Sequence, residues 1–182
     1  MAINSLQQFG QKYIDIMIGI VLGLGFQWWT DLVAPWQYLA FIFIYLNLID
    51  YWIDYSPTLK KYPLKDQVDI FIHSLIIFSM FLLTLATKKT LDYFLFAFIL
   101  YRVGDLLWLV RIKWEYSVFE RDRKFIVSWS IFDSVEILAA AAIIGAGHIY
   151  GISVLLLFLS FVIIRVTTRI LASVSYKQLY YR

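Results

Sequence analysis

LDYFLFAFILYRVGDLLWLVRIKW runs from Leu91 to Trp114. The stretch is long enough to cross a bilayer, which takes about 20 mostly apolar residues. It nevertheless carries Arg102 and Asp105 inside its apolar run. A charge at the centre of a membrane costs at least ~2.5–3.5 kcal/mol, so such residues turn away from lipid and find partners. If this stretch spans a membrane, the two charges mark a buried site.

The rest of the chain supports the spanning reading. Of 182 residues, 62% are hydrophobic and 16% charged, well outside the roughly 45–50% and 25% of soluble domains. Six segments have the required length and character: Tyr13–Val33, Pro35–Tyr55, Val68–Thr87, Leu91–Ile112, Phe125–Gly147 and Ile149–Val174. The joints between them, TDLVAP, SPTLKKYPLKD, TKKT, RIKWEYSVFERDRK and GAGH, hold turn and charge signals. None is long enough to be a domain. The expectation is an all-α, polytopic membrane protein, residues 1–182 forming one integral unit with six transmembrane helices.

Lys and Arg are distributed unevenly. Lys12, the cluster Lys60/Lys61/Lys65, the stretch Arg111 to Lys124, and Lys177 with Arg182 fall on one side, against Lys88 and Lys89 on the other. Positive residues stay cytoplasmic, which predicts a cell-membrane protein with both termini inside. Trp28, Trp29 and Trp36 suit the outer interface, and Trp52, Trp114 and Tyr176 the inner one.

The spans also align in pairs. Asp15, Asp69 and Asp133 fall in register on the odd spans, and Asn47, Arg102 and Arg165 on the even ones. Asp15 to Asp50, Asp69 to Asp105 and Asp133 to Thr168 are separated by 35, 36 and 35 residues. This spacing predicts three helical-hairpin repeats related by an axis normal to the membrane.

Asn47/Asp50/Asp54, Asp69/His73, Arg102/Asp105, Asp133/Glu136 and Arg165/Arg169 are i,i+3 or i,i+4 sets, each on one helix face. The boundaries place these groups in the cytoplasmic half. The ion pathway is therefore read as Asp133, Glu136, Asp105, Asp69, Asp15 and Asp50, with Arg102, Arg165 and Arg169 as counter-charges and Asn47 and His73 as polar neighbours. Acidic residues in a membrane select cations or relay protons. Asp133 and Glu136 lie close on one face, where burial and like charge favour holding a proton on one of them. The expected function is a small channel or transporter for a cation or proton, with a path within one chain or between subunits of a homo-oligomer. The alternative is a scaffold or accessory subunit whose buried pairs only fix helix packing.

A membrane-embedded enzyme acting on lipid is the second alternative. Asn47-x-x-Asp50-x-x-x-Asp54 resembles part of the Asp-rich motif of membrane prenyltransferases, but the second such motif is missing and the chain is too short. With no Cys and two distant His, no zinc site is expected, and no cofactor. The partners expected are the bilayer and the transported ion, not nucleic acid. Gly19-x-x-x-Gly23 and Ala141-x-x-x-Gly145 predict close helix packing.

Overall fold

The computed structural model describes residues 2–116, 118 and 120–180. The side chains of Arg121, Tyr176 and Lys177, and all of Arg182, lie outside what it describes. Six helices follow one another: α1 (Ala2–Phe26), continued by a 3-10 turn at Gln27–Asp31, α2 (Pro35–Lys61), α3 (Gln67–Ala86), α4 (Leu91–Glu115), α5 (Glu120–Tyr150) and α6 (Val154–Tyr180). Among the described residues there is no strand. Five helices, all but α2, are long and apolar enough to cross a membrane. At 27 residues α2 is long enough, but Asn47, Asp50 and Asp54 dilute its apolar character.

The sequence of α4 explains its position. Phe94, Leu95, Phe98, Tyr101, Arg102, Asp105 and Leu109 recur at helical spacing and are almost fully buried. The opposite stripe, Tyr93, Phe96, Val103, Leu107, Val110 and Trp114, is exposed. On a soluble protein that outer stripe would be polar. Here it is apolar along its whole length, as a lipid-facing surface requires. α3 and α5 flank α4, and α6 packs on α5 and α2. Gly104 permits the close approach of α3, because a Cβ there would lie 2.8 Å from Ile76 Cγ1. α1 packs peripherally on α2 and α3.

Each end of the bundle is tied by side chains. At the end rich in Lys and Arg, called the basic end, Arg111 pairs with Asp66 (2.8 Å), Asp69 (3.2 Å) and Glu115. Lys61 Nζ and the Tyr62 hydroxyl both donate to the buried Asp122 carboxylate, each at 2.7 Å. The Tyr116 hydroxyl donates to the Pro63 carbonyl. Burial, helped by the Asp69 carboxylate, pushes the Tyr116 phenol up to about 12, which keeps it a donor. At the far end Gln37 Oε1 accepts from the Val33 and Ala34 amides, both at 2.9 Å, while its Nε2 donates to the Lys89 carbonyl (3.4 Å).

Asp66 caps α3, accepting from the Val68 (2.9 Å) and Asp69 (3.1 Å) amides. The Asp69 amide, assisted by Arg111, holds the Asp66 carboxyl below the usual carboxylate range. A folded-state value that is depressed contributes stability above the unfolded value of about 3.9 and loses it as pH falls through the folded one. Asp66→Ala should cost about 0.5–2 kcal/mol at pH 7, the usual range for a lost N-cap. The gap between wild type and variant in thermal unfolding should narrow at pH 3. A gap that is constant from pH 7 to pH 3 would rule out the cap as its source.

Several helix boundaries differ from the sequence reading, among them three ends. α5 continues through the expected GAGH turn to Tyr150, and the chain turns instead at Gly151, whose φ of 60° suits glycine. α2 continues through Pro57 to Lys61. α4 runs to Glu115, beyond the expected end at Ile112. The expected close packing at Gly19, Gly23 and Gly145 is not made within the chain, since nothing lies within 4 Å of a Cβ built at any of them. Gly19 and Gly23 face outward.

Candidate functional site

The two charges of the opening stretch meet charges from α5. Arg102 Nη1 lies 2.9 Å from Asp105 and 3.2 Å from Asp133, and its Nε lies 2.7 Å from Glu136 Oε2. The last contact is a close ion pair out of line with the N–H, so neither atom gains a hydrogen bond from it. Arg165 of α6 completes the group, with Nη1 2.9 Å from Glu136 Oε1. Its Nε and Nη2 both donate to Asn47 Oδ1 of α2, at 3.1 and 2.9 Å. The Thr168 hydroxyl donates to Glu136 Oε1 at 2.5 Å. Four helices therefore share one polar cluster.

Helical spacing places these groups. Arg102/Asp105, Asp133/Glu136 and Arg165/Thr168 are i,i+3 pairs, so both members project from one face. Each pair straddles the midpoint of its helix, as Asn47 and Tyr51 do on α2. At ~1.5 Å per residue, Arg102 and Arg165 lie ~17 Å from the far ends of α4 and α6. Measured along the helices, both sit near mid-length.

All five ionisable groups are buried; Arg102, Asp105, Asp133 and Glu136 are at most 2% exposed and Arg165 is 8% exposed. Three carboxyls face two guanidiniums, leaving one acidic group uncompensated. Asp133 Oδ2 and Glu136 Oε2 accept no hydrogen bond among the described residues, and Asn47 Nδ2 and the Tyr101 hydroxyl are unpartnered too, while the Tyr51 hydroxyl lies beside Asp105. Buried polar atoms without partners are rare and mark sites for water, a proton or an ion. A cavity of about 20 Å³ lies among Tyr51, Arg102, Asp133, Glu136 and Arg165, room for about one water.

The same cavity is lined by Asp50, Asp54 and Arg169. Arg169 pairs with both carboxylates, and the Asp50 side chain is 40% exposed. The polar region thus extends from the middle of the helices toward the basic end. In the opposite direction Phe94, Phe98, Phe158 and Phe161, all fully buried, close the interior. Their rings meet edge to face, with centroids 5.9 Å apart for Phe94–Phe161 and 4.7 Å for Phe98–Phe161.

The other expected pathway residues stand apart. Asp69 belongs to the Arg111 group at the basic end. Asp15 accepts from Trp52 Nε1 (2.9 Å) on an exposed face. Asp15, Asp69 and Asp133 therefore do not form a ring; they occupy three different environments. His73 is buried between the Tyr55 and Trp108 rings, at 5.5 and 5.6 Å, with neither nitrogen hydrogen-bonded among the described residues. Asp66, Asp69 and Glu115 offer oxygens within 4.8 Å of one another, but Arg111 already pairs with all three. Tyr51, Tyr101 and Thr168 were not expected at the site. Thr168 and Tyr51 follow Arg165 and Asn47 by one helical turn, which is the signal that points to them.

No family model matches the chain, and neither the curated proteins nor the solved structures give a match.

Proposed function

We propose that the chain carries protons across the membrane through the central cluster, as a small transporter or channel. The reading takes α2 as a sixth transmembrane helix, the basic end as cytoplasmic, both termini inside, and the cell membrane as the location. The hairpins α1–α2, α3–α4 and α5–α6 are read as diverged copies, on the spacing of their Asp residues.

One observation carries the proposal: three carboxyls share two guanidiniums in a site removed from solvent. An unpaired buried charge costs several kcal/mol. Binding one proton neutralises the excess, and giving it up leaves a charge that needs a route out. Other features favour a proton over a metal ion. The cavity holds about one water, and both guanidiniums line it. Asp50 and Asp54 supply acceptors between the cluster and the basic end. Passage toward the far end requires the Phe94/Phe98/Phe158/Phe161 contacts to open, so transport involves movement of α6 against α4.

The scaffold reading has support of its own, because Arg102 and Arg165 tie four helices together. Flux separates the two. The full chain in liposomes, driven by a potassium-diffusion potential and followed with an internal pH dye, should move protons at a rate unchanged when Na⁺ is replaced by a large organic cation. No flux of H⁺, Na⁺ or K⁺ above empty liposomes at any pH between 5 and 8 would leave the scaffold reading in place.

A further inference from the structure

We propose that the groove between α3 and α4 at the far end is a binding site for one acyl chain of an anionic phospholipid, with Lys89 reading its phosphate. The groove encloses about 480 Å³, a volume suited to a single fatty acyl chain. Its walls are apolar: Leu82, Leu85 and Ala86 from α3, and Phe96, Ala97 and Leu100 from α4. Ala86 and Ala97 make the space, because larger side chains at these two positions would fill it. Leu100 lies ~14 Å along α4 from Leu91, nearly the depth of one leaflet of a ~30 Å core.

Polar groups occur only at the mouth, where Lys89 and the exposed Tyr93 line the groove. The neighbouring lysine is engaged: Lys88 pairs with Asp31 at 3.1 Å and lies 5.3 Å from the Trp28 ring centre. Lys89 has no acidic partner among the described residues, yet its backbone is fixed. Its amide donates to the Ala86 carbonyl (2.9 Å) and its carbonyl accepts from Gln37 (3.4 Å). A positioned, unpaired cation above an apolar slot one leaflet deep complements a phosphate above an acyl chain. A headgroup with net negative charge fits better than a zwitterionic one, whose own cation competes with Lys89. This site is separate from the central cluster and does not depend on the transport reading.

The test uses the purified full chain in phosphatidylcholine nanodiscs, with chain-spin-labelled phosphatidylglycerol or phosphatidylcholine as probe and the motionally restricted fraction as readout. Wild type should favour phosphatidylglycerol by about five-fold, the scale of one cation at an anionic membrane surface. Lys89→Gln, an exposed change that leaves packing intact, should bring the two lipids to parity. Ala97→Phe should reduce the restricted fraction of both by filling the slot. Equal association of the two lipids with wild type, or a preference that survives Lys89→Gln, overturns the proposal. So does a dimer-to-monomer change on Ala97→Phe, which would give the groove to a second copy of the chain.

Discussion

Arg102→Met should destabilise the bundle by about 3–5 kcal/mol, the cost of removing one partner from a buried ionic group. The magnitude follows from what remains. Arg102 is the cation beside Asp105 and Asp133, and it shares Glu136 with Arg165. Without it, three buried carboxyls face one guanidinium that contacts only Glu136 among them. Methionine fills much of the vacated volume, so the loss reports charge rather than a cavity. Reversible unfolding in mixed micelles measures it. Combining Arg102→Met with Asp105→Leu and Asp133→Leu should restore most of the loss, because a buried ionic group replaced whole by apolar side chains is often neutral or stabilising. A loss below 1 kcal/mol for the single variant would mean that Arg102 is not the cation holding these acids.

Asp133→Asn should affect stability and flux differently. The amide keeps the shape of the carboxyl and removes the excess acid, so two guanidiniums then face two carboxylates. Arg102 retains Asp105 and Glu136 as partners. Stability at pH 7 should stay within about 1 kcal/mol of wild type, because the extra acid already carries a proton there and the amide leaves the charge of the cluster unchanged. Proton flux should fall at least about 100-fold, because the group that makes proton binding favourable is gone; that factor corresponds to roughly 2.7 kcal/mol of barrier. Asp15→Asn is the matched control. Asp15 sits on α1 against Trp52, away from the cluster, and its loss should leave flux within two-fold. Full flux in Asp133→Asn liposomes would separate transport from this site.

The sequence made the membrane class and much of the cluster legible, for one physical reason. Charges are so costly in apolar spans that Arg102, Asp105, Asp133, Glu136 and Arg165 stood out against their neighbours, and i,i+3 spacing showed that each pair shared a face. Which faces meet could not be read. Asp15 and Asp69 have the same local setting as Asp133, an acid near the start of an apolar run, yet one lies on a peripheral helix and the other pairs with Arg111. Arg111 stood at the edge of its expected span, where it also opened the next joint, because the apolar run fades before the helix ends. Gly104, inside the opening stretch, makes a close helix contact, while Gly19 and Gly23, in a stronger small-residue pattern, face outward. Spacing identifies a surface able to pack but not its partner. Tyr51 and Tyr101 read as ordinary aromatic core, and only their buried hydroxyls beside the charged groups set them apart.

The central claim is that the five-membered cluster holds one proton at neutral pH. Infrared spectroscopy of the chain in lipid, compared between H₂O and D₂O, tests it directly. The prediction is a carbonyl stretch from a protonated carboxylic acid at pH 7, shifted slowly by deuterium as a water-excluded site requires and absent from Asp133→Asn. A wild-type spectrum with no protonated carboxyl band at pH 7 would contradict it, because all three acids would then be ionised beside only two arginines.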